Sequence, residues 1–197
     1  MTETAARKEK YIYGEKPIKF RPGDLVVYPA HGVGRIQSIE CREVDGKKQE
    51  FFILHILENS MVIMIPTQNV TAVCLREIIG KDEVPKIYEV LKKGVNLLIN
   101  NMTWNRRQKE YMDKIRTGSI FEVAEVFRDL FLAKFTKELS FGERKLFDIA
   151  QGLLINEICV AEDRDKKTTM RKIKMVLKDS IETINKNMDI KTGLTQV

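Results

Sequence analysis

The single tryptophan of the chain stands in Asn101-Met-Thr-Trp-Asn-Arg-Arg107, beside two adjacent arginines. These residue types together suit nucleic acid, because guanidinium groups meet phosphates and an indole meets bases. Thr103 is suited to an N-cap, which puts Trp104, Asn105, Arg106 and Arg107 in the first turn of a helix. Arginines there oppose the helix macrodipole, so local helix stability gives no reason for them. A phosphate does, since helix N-terminal N–H groups and arginines can hold one anion together. A plainer reading stands beside this one. Trp104, Gln108, Tyr111 and Ile115 recur at i, i+4, i+7 and i+11, a spacing that also buries an indole in a helical core.

No comparable constellation points to catalysis. The sequence contains no G-x-x-x-x-G-K-[ST] loop, no G-x-G-x-x-G, no H-E-x-x-H and no G-x-S-x-G. His31 and His55 are the only imidazoles, and His55 alternates within an apolar strand, the pattern of a structural histidine. Cys41, Cys74 and Cys159 are odd in number, far apart and without a C-x-x-C pair, which argues against zinc, redox work or a disulfide framework. The expectation is a non-enzyme with no cofactor, no metal and no small-molecule substrate.

The elements that must position these residues divide the chain in two. At 197 residues there is room for two small domains. No run approaches the roughly 18 apolar residues of a membrane span, and Met1 to Lys10 lacks the apolar core of a signal peptide. A cytoplasmic protein without a membrane partner is expected. The net charge is +6. By segment it is about +2 over residues 1–19, about −1 over 20–79, about +1 over 80–162 and about +4 over 163–197. A near-neutral first half beside a more basic second half suggests a protein-binding module joined to a nucleic-acid-binding one.

Residues 1–19 read as a flexible tail. From Phe20 short apolar runs predict strands at Leu25–Tyr28, Gly34–Val44, Gln49–Leu57, Met61–Pro66 and Val70–Leu75. Asp45-Gly46 signals a two-residue hairpin, because a type I′ turn needs positive φ at both central positions. Five short strands in so few residues predict an SH3-like or Tudor-like β-barrel over 20–79. After Gly80 the period becomes helical. Helices are predicted at Asp82–Lys92, with Pro85 in the first turn, and at Thr103–Arg116, ended by Gly118, with Gly94–Asn101 a loop between them. Ser119-Ile-Phe-Glu122 and Ser140-Phe-Gly-Glu143 predict capping boxes for the next two, the second of which runs to about Ala161. A fifth helix is predicted at about Thr168–Lys186. The third, apolar over a wide arc, is the expected centre of the domain. The fold class is therefore α+β in two domains: the barrel over 20–79, an all-α domain over 80–186, and a flexible tail over 187–197.

The segment Phe20-Arg-Pro-Gly-Asp-Leu-Val-Val-Tyr-Pro-Ala-His-Gly-Val-Gly-Arg-Ile36 is more distinctive than any of these. Joined in order with Ile63-Met-Ile-Pro66, Leu75-Arg-Glu77, Thr103-Trp-Asn-Arg-Arg107, Val123-Ala-Glu-Val126 and Leu139-Ser-Phe-Gly-Glu-Arg-Lys145, it resembles the CarD/CdnL family of bacterial transcription regulators. The resemblance spans roughly residues 20 to 162 and touches both predicted domains. It implies an N-terminal domain that docks on the β subunit of RNA polymerase, a module also found in the transcription-repair coupling factor. It implies a helical domain that contacts promoter DNA, largely without base-specific readout, at the upstream edge of the −10 element. There the family's tryptophan wedges into the minor groove and stabilises the open complex.

Carried onto this sequence, Trp104 matches the wedge, Arg106 and Arg107 the basic residues beside it, and Arg144 and Lys145 a second basic pair. On the barrel, Met64, Pro66 and Ile53 match polymerase-contact positions, and Arg42 a polymerase-facing arginine of some members. Met64 stands where some relatives place an arginine, which shifts that contact from charge toward adaptable apolar packing. The resemblance favours wedge over core for Trp104, because a wedge unstacks a base step and needs nearby cations to offset the cost. The rival is a protein-interaction adaptor whose helical domain does not use DNA. An accessible Trp104 between arginines favours the first reading, and a buried indole the second.

Overall fold

Five strands, most of them rich in Val, Ile, Phe and Leu, lie between residues 25 and 77, and they pair into one antiparallel sheet. In the computed structural model, which describes residues 20–93 and 103–193, the strands are β1 (Leu25–Tyr28), β2 (Gly32–Val44), β3 (Lys47–Ile56), β4 (Val62–Pro66) and β5 (Arg76–Glu77). Their order is β4-β3-β2-β1-β5. Val26, Ile36, Phe52, Leu54, Ile56 and Ile65 form one buried cluster with Phe20 and Leu75. Because Ile65 on one edge strand and Leu75 beside the other share it, the sheet curls around a single core. The Tudor-like α+β expectation is met. Asp45 and Gly46 both have positive φ, at 52° and 72°, as the hairpin signal requires.

The fifth strand lies elsewhere than expected. Val70–Leu75 does not pair; it follows a 3-10 turn at Thr67–Asn69 and folds back through hydrogen bonds from Val73 to Asn69, from Cys74 to Thr71 and from Leu75 to Val70. Cys74 takes φ +54°, which no strand accommodates. Only Leu75 needs full burial, and a turn delivers it to the core as well as a strand would.

The helices are α1 (Val84–Lys92), α2 (Trp104–Arg116), α3 (Ile120–Thr136), α4 (Phe141–Glu162) and α5 (Lys166–Gly193). The expected loop at 94–101 and the tail at 1–19 lie outside the described residues. The last helix extends to Gly193, so part of the expected C-terminal tail is helical. Ile120, Val123, Ala124, Val126, Phe127, Leu130 and Phe131 bury the central α3 against α1, α2 and α4. The expected capping box at Ser119 is absent, whereas the one at Ser140 is complete. The hydroxyl of Thr117 bonds Glu122 and accepts from the Ser119 N–H at 3.2 Å, so the glutamate that would close the box is already engaged. Among the described residues, no helix is long and apolar enough to cross a membrane.

Polar contacts join the two domains. Asn156 on α4 donates through Nδ2 to Glu58 at 2.8 Å, and beside this link lies an arginine clasp. Arg76 on β5 reaches into the helical domain, where Nη1 and Nη2 donate to the two carboxylate oxygens of Glu157 on α4 at 2.5 and 2.8 Å. Its Nε donates to the Gly118 carbonyl at 2.7 Å, in the turn between α2 and α3. Glu157 also accepts from the Ile79 N–H at 3.3 Å, which brings it hydrogen bonds from two positions of the first domain. This is the fork geometry in which a partly buried arginine satisfies a buried carboxylate. Gly118, at φ +77°, packs so near Pro29 that a Cβ would stand 2.8 Å from the Pro29 Cγ, so both backbone and space demand glycine there.

Candidate functional site

Strand register assembles the first surface. Ser38 pairs with Ile53 and Ile53 with Met64, while Glu40 pairs with Phe51 and Phe51 with Pro66. Arg42 pairs with Gln49. Residues two apart share a face, so Arg42, Ile53, Met64 and Pro66 all lie on the face turned away from the core. The β-bulge between Ile36 and Ser38 sets this phase, since without the extra residue Ser38, Glu40 and Arg42 would have continued the inward parity of Ile36. β4 is also an edge of the sheet, and Met61, Val62 and Met64 are exposed along it.

The four expected contact residues are not equivalent on that face. Met64 is 40 % exposed and Pro66 is partly so. Arg42 is exposed and carries an ion pair with Glu40 at 2.8 Å. Ile53 differs from the expectation. It is only 7 % exposed, covered in the middle strand of three, and it therefore backs Met64 rather than offering surface of its own. Phe51, between Glu40 and Pro66, is a partly exposed aromatic on the same face that the sequence reading passed over. Its position two residues before Ile53 was the available signal.

The second surface is the corner where the N-termini of α2 and α4 meet. Ser140 caps α4: the Glu143 N–H donates to its hydroxyl at 3.3 Å, and the Glu143 carboxylate accepts from the Ser140 N–H at 2.9 Å. The other Glu143 oxygen accepts from Lys137 Nζ at 2.7 Å and from Arg107 Nη2 at 3.1 Å. Burial opposes the charge on Glu143, but hydrogen bonds from Lys137 and Ser140 more than offset it and hold the carboxyl below the usual glutamate range.

Behind this carboxylate the tryptophan is seated. A Cβ on Gly142 would lie 2.9 Å from Trp104 Cζ2, so the indole rests directly on the backbone of the first α4 turn. The Arg107 guanidinium carbon stands 5.7 Å from the ring centroid, within cation–π range. Trp104 is half-buried: it leans on the helical core without entering it. The indole thus packs against the helical core while part of its surface stays open.

The two arginines of the motif diverge. Arg106 is exposed, on a helix face with Lys109, Glu110 and Asp113. Arg107 turns inward, with its side chain 14 % exposed and its charge paired to Glu143. As a free phosphate contact Arg107 is thus a poor candidate, because it follows Trp104 by three residues and precedes buried Tyr111 by four, on the inward face. Arg144 and Lys145 are exposed near the start of α4, and Arg144 stands 3.9 Å from Glu138. Phe141, at the first position of the same helix, is 80 % exposed, and the sequence reading gave it no role. It lies off the apolar stripe of Leu146, Ala150 and Leu154, and that mismatch was the signal.

Known proteins share both halves. Residues 20–79 match the family described as the CarD-like/TRCF RID domain, and residues 86–174 the one described as the CarD C-terminal domain. YdeB of Bacillus subtilis (strain 168), whose name describes it as a candidate transcription factor, is 34% identical over 148 residues, 75% of this chain and 95% of its own. The solved structure of CdnLNt from Myxococcus xanthus is 52% identical, covering 34% of this chain and 93% of that one, with a TM-score of 0.28.

Proposed function

Because this chain belongs to the CarD/CdnL family of transcription regulators, we propose that it docks on the β subunit of RNA polymerase through its sheet and stabilises the open promoter complex through the α2–α4 corner. It acts in the cytoplasm, on promoter DNA, largely without reading bases. Docking uses the outer face carrying Arg42, Met64 and Pro66, with Phe51 between the rows and Ile53 supporting Met64. An exposed apolar edge strand is a liability on a monomer and an asset for a partner that continues the sheet or covers it.

The observation that carries the DNA assignment is the seat of Trp104. Its indole rests on Gly142 and beside Arg107, which buried Glu143 holds in place, and it stays partly exposed. A wedge needs a rigid base and a free blade, since an indole that could retreat into solvent would not hold a base step apart. Arg106, Arg144 and Lys145 supply cations around it for phosphates on either side. Arg107 acts through Trp104, as the group that positions it.

The direct test is the lifetime of open complexes formed by polymerase holoenzyme on a promoter, with and without the full chain. A longer lifetime with the protein, lost on Trp104→Ala, is the expected result. Polymerase binding without any change in lifetime would leave the protein an adaptor and end the DNA reading.

A further inference from the structure

The exposed ring of Phe141 has no structural task. At 80 % exposure it contributes nothing to the core, and the capping box beside it runs through Ser140 and Glu143 without it. A large apolar side chain in water at a helix N-terminus is unexplained by folding. Its neighbours are informative. On a helix, residues three and four apart are adjacent, so Phe141 shares its face with Arg144 and Lys145, both exposed. The next residue along the chain is Gly142, on which the Trp104 indole sits. An exposed aromatic ring therefore stands beside two cations and one residue from the seat of Trp104.

We propose that Phe141 is a second nucleic-acid contact, stacking on an unpaired base of the strand that opens beside Trp104, while Arg144 and Lys145 hold the adjoining phosphates. This inference rests on assigning the α2–α4 corner to promoter DNA. The charge of the patch selects the occupant. A purely apolar protein surface would desolvate both cations with nothing new to pair them beyond the 3.9 Å contact of Arg144 with Glu138, whereas a single-stranded segment presents a π-face and an anion in alternation. Aromatic rings with cations alongside are the general solution for holding single strands without sequence preference. The division of labour follows from burial: Trp104 is anchored from behind and separates the base step, and Phe141, largely exposed, takes up a base once it has been released.

The test uses the full chain, polymerase holoenzyme and a promoter, with Phe141→Ala, Phe141→Leu and Phe141→Trp compared with Trp104→Ala. Open-complex lifetime should shorten roughly five- to a hundred-fold for both Ala and Leu, the range of one lost base–aromatic stack, and Trp should restore it. Affinity for polymerase and melting temperature should stay unchanged, because an exposed ring supports neither. A Leu variant equal to the parent would show apolar contact without stacking, and a fall in polymerase affinity would assign Phe141 to the protein partner; either overturns the proposal. If Trp104→Ala shortens the lifetime while Phe141→Ala does not, Phe141 is idle and the wedge reading survives. If neither variant changes it, both fall together.

Discussion

The carboxylate of Glu143 lies 3.1 Å from the guanidinium of Arg107, and through that contact the first turn of α4 holds the first turn of α2. One oxygen of the same carboxylate closes the α4 cap and the other gathers Arg107 and Lys137. A single buried acid thus fixes a helix end, an inter-helix angle and the residue next to the indole. Glu143 thus acts on the seat of Trp104 through Arg107.

The two adjacent arginines should separate by salt dependence. Arg106→Ala is expected to weaken DNA association across sequences and to reduce its salt slope by roughly one unit, as loss of one phosphate contact does. Arg107→Ala should leave the slope alone and instead shorten open-complex lifetime by loosening Trp104. Equal slopes for the parent and the Arg106 variant would move that side chain away from the backbone.

For the indole itself, half-burial sets the scale. Trp104→Ala should cost about 1–2 kcal/mol of folding stability, short of the roughly 3–5 kcal/mol that truncating a fully buried tryptophan costs. Open-complex lifetime should fall roughly five- to a hundred-fold at the same time. A loss of stability at the core level, measured by denaturant melts, would return Trp104 to the core.

On the sheet, Met64→Glu is expected to weaken polymerase binding while circular dichroism remains that of the folded chain. The side chain is exposed, so charge is tolerated in the free protein, but it is desolvated when a partner covers the strand. Unchanged affinity in a pull-down of core polymerase would remove this face from the interface.

Acid stability should report on Glu143. Its folded-state carboxyl titrates below the ordinary value of 4.5, so it contributes stability above that pH and loses it as pH falls through the folded value. Buried Asp129 is shifted the other way, raised chiefly by burial against the opposing pull of Arg128, and its contribution has the opposite slope. The comparison must therefore be differential. The stability gap between the parent and Glu143→Gln should be largest near neutrality and close below about pH 4.5. A gap independent of pH would mean that the charge on Glu143 stabilises nothing.

Much of this could be read from the chain because local chemistry and tertiary demand agree there. The Asp45-Gly46 hairpin, the Gly118 stop and the Ser140 box each follow from residue type alone. Ser119-x-x-Glu122 carries the same signature as Ser140-x-x-Glu143, yet only the second forms, since pattern says nothing of a competing Thr117. Val70–Leu75 has the composition of a strand but no partner strand to complete it. Arg106 and Arg107 read as one basic pair, and only the helical period, extended to Tyr111, tells the inward side chain from the outward one. Ile53 matched a contact position on a face that register predicts well, but coverage by neighbouring strands is a property of three dimensions.

The clasp of Arg76 on Glu157 and Gly118 gives the molecule a fixed span. Two domains on a tether would let the indole search, whereas a forked arginine spanning their boundary sets how far the blade stands from the docking face. On the proposed reading, the two surfaces then act as one rigid piece: where the sheet docks decides where the indole can fall.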